Sequence, residues 1–155
     1  MAAAPSVCTA KARAAVAHVE HLAPTSIATR AAKASSGYPE CTFTLRMRGR
    51  RVVRVTVQDN TAPDAYAVLE RTVDEAVQIW PVRFQSPPQH IGGLGIDADW
   101  FPEEQHLMTT DAVHLITATV VWPHGTRNQK VALAVAAARP YLGPNELQLA
   151  RGPAP

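Results

Sequence analysis

The chain has 155 residues, 46% of them hydrophobic and 18% charged, the balance of a folded domain and not of a charged disordered chain or a collagen-like repeat. Fifteen basic and thirteen acidic side chains leave a net charge of +2, too small by itself to point to nucleic acid. No apolar run reaches the roughly 18 residues that a membrane-spanning helix needs.

The length suits one core, and the expected division is a single α+β domain over 1–142 followed by a Pro-rich tail over 143–155. Ser6 can cap a first helix running to about residue 22, with Cys8, Ala12, Ala15, Val19 and Leu22 on one apolar stripe. Pro24 ends it, and residues 25–40, rich in Ala, Ser and Thr, read as a loop. Cys41, Phe43, Leu45 and Met47 then alternate with Thr42, Thr44 and Arg46, and the alternation resumes through Val53, Val55 and Val57, which predicts a β-hairpin with one buried face.

Residues 61–64 form a helix start with Pro63 in the first turn, and Leu69, Val73, Ala76, Val77 and Trp80 share one side of the helix that follows. Pro81 is expected to stop it. A glycine-rich connection, Gly92-Gly93-Leu94-Gly95, leads into a short strand over 97–101. Two further strands are predicted over 105–109 and 113–122, the second apolar at nearly every position from Leu115 to Trp122, as a central strand covered on both faces would be. A last helix over about 128–139 turns Val131, Ala134, Val135 and Ala138 inward. The expected fold is therefore α+β, an antiparallel sheet of about five strands with three helices packed on it, in the order α-β-β-α-β-β-β-α.

Charge is unevenly divided. Residues 1–58 hold nine basic and two acidic side chains, and 59–155 hold six and eleven. The densest feature is the hairpin tip, where Arg46, Arg48, Arg50, Arg51 and Arg54 fall within nine residues. Guanidinium forks suit phosphate and carboxylate groups, although a charged tip also blocks edge pairing. Nucleic acid is not expected as a partner, because Phe43, the hairpin's aromatic residue, belongs to the buried face and leaves no ring for base stacking.

No catalytic motif emerges. His18 and His21 lie three apart on the first helix without a third ligand nearby, so no metal site is expected there. The glycine-rich turn lacks the Lys-Ser/Thr of a phosphate-binding loop. His90, His106, His114 and His124 are interspersed with Asp97, Asp99, Glu103, Glu104 and Asp111, a set that supports acid-base chemistry only where members share a cleft. Cys8 and Cys41 have no zinc-ligand spacing. They are either two free thiols of a cytosolic protein or a disulfide of an exported one. No charged n-region or apolar h-region opens the chain, so export implies a signal segment absent from it.

Cys8 at the head of the first helix, Cys41-Thr42-Phe43 opening a strand, Gly93-Leu94-Gly95-Ile96-Asp97-Ala98-Asp99-Trp100, and the apolar strand from Leu115 followed by the Ala-rich helix from Val131 together resemble small actinobacterial lipoproteins and secreted domains of unknown function. The resemblance spans about residues 7–142. It implies an exported α+β domain similar to PsbP-like proteins, with a Cys8–Cys41 disulfide, and it carries no catalytic residues and no cofactor.

The expected function is a non-enzymatic accessory domain of the cell envelope that binds a partner protein or small ligand. Arg46, Arg48, Arg50, Arg51, Arg54, Trp100 and Phe101 are the candidate contacts, because exposed aromatic and arginine side chains dominate recognition. The alternatives are a small enzyme built on the His and Asp/Glu residues of the second half, and a binder of anionic polymers through the arginine hairpin.

Overall fold

In the computed structural model, residues 7–61, 64–83 and 86–143 are described, with the side chains of 79–83 excepted. Seven antiparallel strands form one sheet: β1 (Ala28–Lys33), β2 (Pro39–Arg46), β3 (Val52–Asp59), β4 (Gln89–His90), β5 (Asp97–Phe101), β6 (His106–Thr110) and β7 (Leu115–Val121). Their order across the sheet is β1-β2-β3-β7-β6-β5-β4. The helices are α1 (Ala10–Val19), α2 (Ala65–Arg83) and α3 (Arg127–Ala138). The chain is α+β with an antiparallel sheet and three helices, as expected, but with two strands more than expected.

Alternation along the strands separates two faces. Cys41, Phe43, Leu45, Val53, Val55, Val57, Trp100, Leu107, Ile116, Ala118 and Val120 are buried in one cluster with Ala12, Val16 and Ala17 of α1 and Leu133, Ala134, Ala137 and Ala138 of α3. The many alanines let both helices approach the strands closely, which leaves room for the Trp100 ring beneath them. The intervening residues of β6 and β7 face the other way, where Leu115 and Met108 pack against Ala65, Val68, Leu69 and Val73 of α2. β7 is thus central, paired with β3 and β6 and covered on both faces at its Leu115 end, as its apolar sequence predicts, while Val121 at its other end is exposed.

Local chemistry fixes the helix starts. The Thr9 hydroxyl accepts the Ala12 N–H at 3.1 Å, and Thr126 and Gln129 close a reciprocal capping box ahead of α3. α1 therefore begins at Ala10, later than the Ser6 cap would place it; Ser6 itself lies outside the described residues, as do Ala62, Pro63 and residues 144–155. Cys8 is bonded to Cys41, which pins the chain just before α1 to the second strand.

Three expectations need correction. Residues 25–40 hold a strand: β1 pairs with β2 from Ala28–Thr44 to Lys33–Pro39, although all six of its residues are exposed and carry no apolar alternation. The two-residue β4 pairs with β5 at the opposite edge. Pro81 does not stop α2, which continues to Arg83; so near the helix end a proline removes one N–H bond without ending the helical path. The Trp80 side chain lies outside those described.

Candidate functional site

The sheet face that α2 covers over β6 and β7 is open over β1–β3, where no described helix lies. Register places Arg30, Thr42, Thr56 and Thr119 in one cross-strand row, and Thr44, Arg54 and Val121 in the next. The threonines are half-buried, with Thr42 and Thr56 joined by a 2.9 Å hydroxyl hydrogen bond. Arg30, Arg46 and Arg54 are exposed, and Val121 is 55% exposed between the threonine rows and the sheet end.

The β2–β3 connection continues this face. It is a 3-10 turn over Arg48–Arg50, made possible by Gly49 at φ 77° and closed by the Met47 N–H donating to the Arg51 carbonyl at 2.7 Å. Arg48, Arg50 and Arg51 are all exposed there. None of these six guanidinium groups forms an ion pair among the described residues. Glu40 is the acidic residue on this face of β2, at the end away from the turn. The structure therefore brings all five sequence-predicted arginines to one end of the sheet and adds Arg30, which sequence reading missed because β1 has no strand pattern.

Trp100 and Phe101 are not surface contacts. They are 1% and 4% exposed: Trp100 points beneath α1 and α3, and Phe101 points to the opposite face, edge-on to the His106 ring at 5.1 Å. Both are core residues, covered on the two faces of β5 by the α1–α3 layer and by His106; β4, a neighbour the sequence did not reveal, makes β5 an interior strand. Burial lowers the pKa of His106.

Among the titratable residues of the second half, the structure brings two groups together, while His106, His124 and Glu103 contact other residues. Asp111 and His114 meet in the β6–β7 turn, Nδ1 to Oδ2 at 2.7 Å, with the carboxylate also accepting backbone N–H groups; this pair organises a turn. His90, Asp97 and Asp99 meet at the β4–β5 edge. His18 and His21 are exposed on and just after α1, and His18 borders an apolar cleft of about 560 Å³ between α1 and α3, rimmed by Lys11 and Arg139. No described helix is long and apolar enough to cross a membrane.

Compared with known proteins, the chain matches no family model, no curated protein and no solved structure. The functional reading rests on the arrangement of its own residues.

Proposed function

We propose that this chain is a non-enzymatic accessory domain of the cell envelope or exterior that holds an anionic polymer against the open β1–β3 face. One observation carries the reading: six exposed guanidinium groups without an ion-pair partner among the described residues lie on one face and its adjoining turn. Guanidinium forks bind phosphate and carboxylate oxygens in pairs, and the half-buried threonines between them offer hydroxyl donors. A rigid antiparallel sheet holds these groups at fixed spacing, so a repeating anion meets several at once.

The Cys8–Cys41 bond supports an oxidising compartment, in keeping with the resemblance to exported actinobacterial domains. Asp97, Asp99, Glu103, Glu104 and Asp111 lie on β5 or in the β5–β6 and β6–β7 turns, and α2, which carries Glu70, Asp74 and Glu75, packs over β6 and β7 rather than β1–β3.

The test is binding to a sulfated polysaccharide and to inorganic polyphosphate as a function of salt. Affinity falls steeply as salt rises, and Arg30→Gln/Arg46→Gln/Arg54→Gln makes the log–log salt slope shallower by about two to three, roughly one per lost contact, without lowering the melting temperature. Salt-independent binding, or wild-type affinity in that triple variant, overturns the proposal. Loss of binding only on changing Lys11 and Arg139 assigns the ligand to the α1–α3 cleft instead.

A further inference from the structure

At the sheet edge farthest from β1, antiparallel pairing sets His90 of β4 opposite Asp99 of β5. Asp97, two residues earlier on β5, shares the face of Asp99. The loop from Ile91 to Ile96 makes this possible by folding β4 back on β5: Gly93 and Gly95 adopt φ of 79° and 58°, and Leu94, 2% exposed, anchors the loop in the core. The result is a nitrogen and two carboxylate oxygens that lie within 4.8 Å of one another. His90 Nδ1 is 3.4 Å from Asp97 Oδ1 and 3.9 Å from Asp99 Oδ1.

These spacings suit a shared ion. Ligand bonds of about 2.1 Å separate neighbouring donor atoms on a tetrahedral or octahedral cation by about 3.0–3.4 Å, so small side-chain rotations bring all three atoms onto one centre.

Asp99 supplies an independent indication. Its side chain is only 9% exposed, yet no described residue donates a hydrogen bond to its carboxylate; its ionic contact is the distant imidazole. A carboxylate with so little access to solvent is costly, and Asp97 adds a like charge beside it. Structural aspartates are normally treated in the opposite manner, as Asp111 is in this chain with its several donors. A dication between the three side chains removes both the like-charge repulsion and the missing coordination of Asp99.

We propose that His90, Asp97 and Asp99 form a binding site for one divalent transition-metal ion of the zinc class, held through Nδ1 and one oxygen of each carboxylate. An imidazole donor favours such ions over calcium and magnesium, which prefer all-oxygen sites. His90 is 68% exposed, so the remaining coordination positions open to solvent, where water or a side chain of a bound partner completes the shell. The site stands at the other edge of the sheet from the arginine face and does not depend on it.

The experiment is titration of untagged, chelator-stripped protein with zinc chloride by calorimetry, alongside melting curves with zinc, calcium and magnesium. One equivalent of zinc binds, the melting temperature rises with zinc concentration, and calcium and magnesium at the same concentrations leave it unchanged. Asp99→Asn and His90→Gln each weaken zinc binding by on the order of 100-fold, since loss of a ligand costs at least what loss of its supporting contact does. His18→Ala/His21→Ala leaves it intact. Should Asp99→Asn fail to fold, the exposed His90→Gln decides. Absence of stoichiometric uptake, uptake that survives His90→Gln, or uptake lost in His18→Ala/His21→Ala overturns the proposal.

Discussion

Asp111 and Gly143 are 32 residues apart, yet Asp111 Oδ2 accepts the Gly143 N–H at 2.6 Å. The bond ties the end of the helical layer to the β6–β7 turn. The other oxygen accepts the Val113 and His114 N–H groups at 2.9 and 2.6 Å, and the His114 ring lies 2.7 Å from Oδ2. Burial alone pushes this carboxyl up, but the His114 and Gly143 amides, the His114 ring and the Val113 amide together bring it down to about 2.

A carboxyl whose folded pKa lies below its unfolded value of 3.8 stabilises the fold when ionised. That contribution is complete above about pH 4 and is lost as pH falls through about 2, and its size is about 2 kcal/mol. Urea unfolding of Asp111→Asn at pH 7 is expected to show a loss of about that size, because the amide can no longer accept from both Gly143 and the imidazole. Between pH 4 and 2 the wild type loses stability faster than the variant. Parallel acid limbs for the two proteins contradict this account.

The Cys8–Cys41 bond closes a loop that includes α1 and β1, with Cα atoms 5.1 Å apart. In the chain-entropy picture, such a loop stabilises the fold by about 3–4 kcal/mol, which for a domain of this size corresponds to about 10 °C in melting temperature. Calorimetry with and without reductant measures the shift. Mass spectrometry after alkylation is expected to find no reactive thiol before reduction and two afterwards. Full alkylation of folded, unreduced protein would remove both the bond and the support it lends to an exterior location.

Much of this fold was legible because the core residues announce it. Phe43 and Leu45 alternate with threonines, Val53, Val55 and Val57 answer them across the hairpin, and β7 is apolar throughout, so strands and buried faces follow from period alone. β1 was illegible for a physical reason: Ala28–Lys33 is held by backbone pairing to β2 and buries no side chain, so nothing in its sequence marks a strand. The arginine cluster was visible as composition, and the hairpin prediction already turned Arg46 and Arg54 outward. Arg30 could not be added to them without β1. Trp100 and Phe101 were misassigned because the sequence does not show what covers the two faces of β5: the α1–α3 layer over Trp100 and the His106 ring beside Phe101. The His90–Asp97–Asp99 cluster was present as residue types, but only the β4–β5 register joins them.

Trp100 tests the separation of core from surface. Its ring is buried between the sheet and the helices, so Trp100→Ala costs about 3–5 kcal/mol, while Trp100→Phe retains most of the apolar filling and folds. Polyanion affinity of the folded Trp100→Phe protein is expected to equal that of wild type. A tenfold loss of affinity in this variant, with the fold intact by circular dichroism, returns β5 to the binding surface.

The glycines between β4 and β5 give a graded prediction. A Cβ at Gly92 meets no atom within 4 Å, and its φ is not in the left-handed region; Gly92→Ala is neutral or stabilises by about 0.5 kcal/mol through the unfolded chain. Gly93 has the same open space but a φ of +79°, so Gly93→Ala costs about 1–2 kcal/mol in backbone strain alone. Gly95 combines a φ of +58° with a Cβ position that collides with the Thr110 carbonyl and lies 2.9 Å from the Thr109 hydroxyl. The Thr110 carbonyl accepts the Ile96 N–H at 2.9 Å, so backbone on both sides must move to admit a methyl group. Gly95→Ala therefore costs more than Gly93→Ala, by about 1–3 kcal/mol. Because Gly95 sits two residues before Asp97, the displacement also shifts the aspartates relative to His90. Urea unfolding of the three variants measures the order; equal costs at Gly93 and Gly95 would mean that the contact with Thr110 relaxes freely and that the β4–β5 edge is softer than its pairing implies.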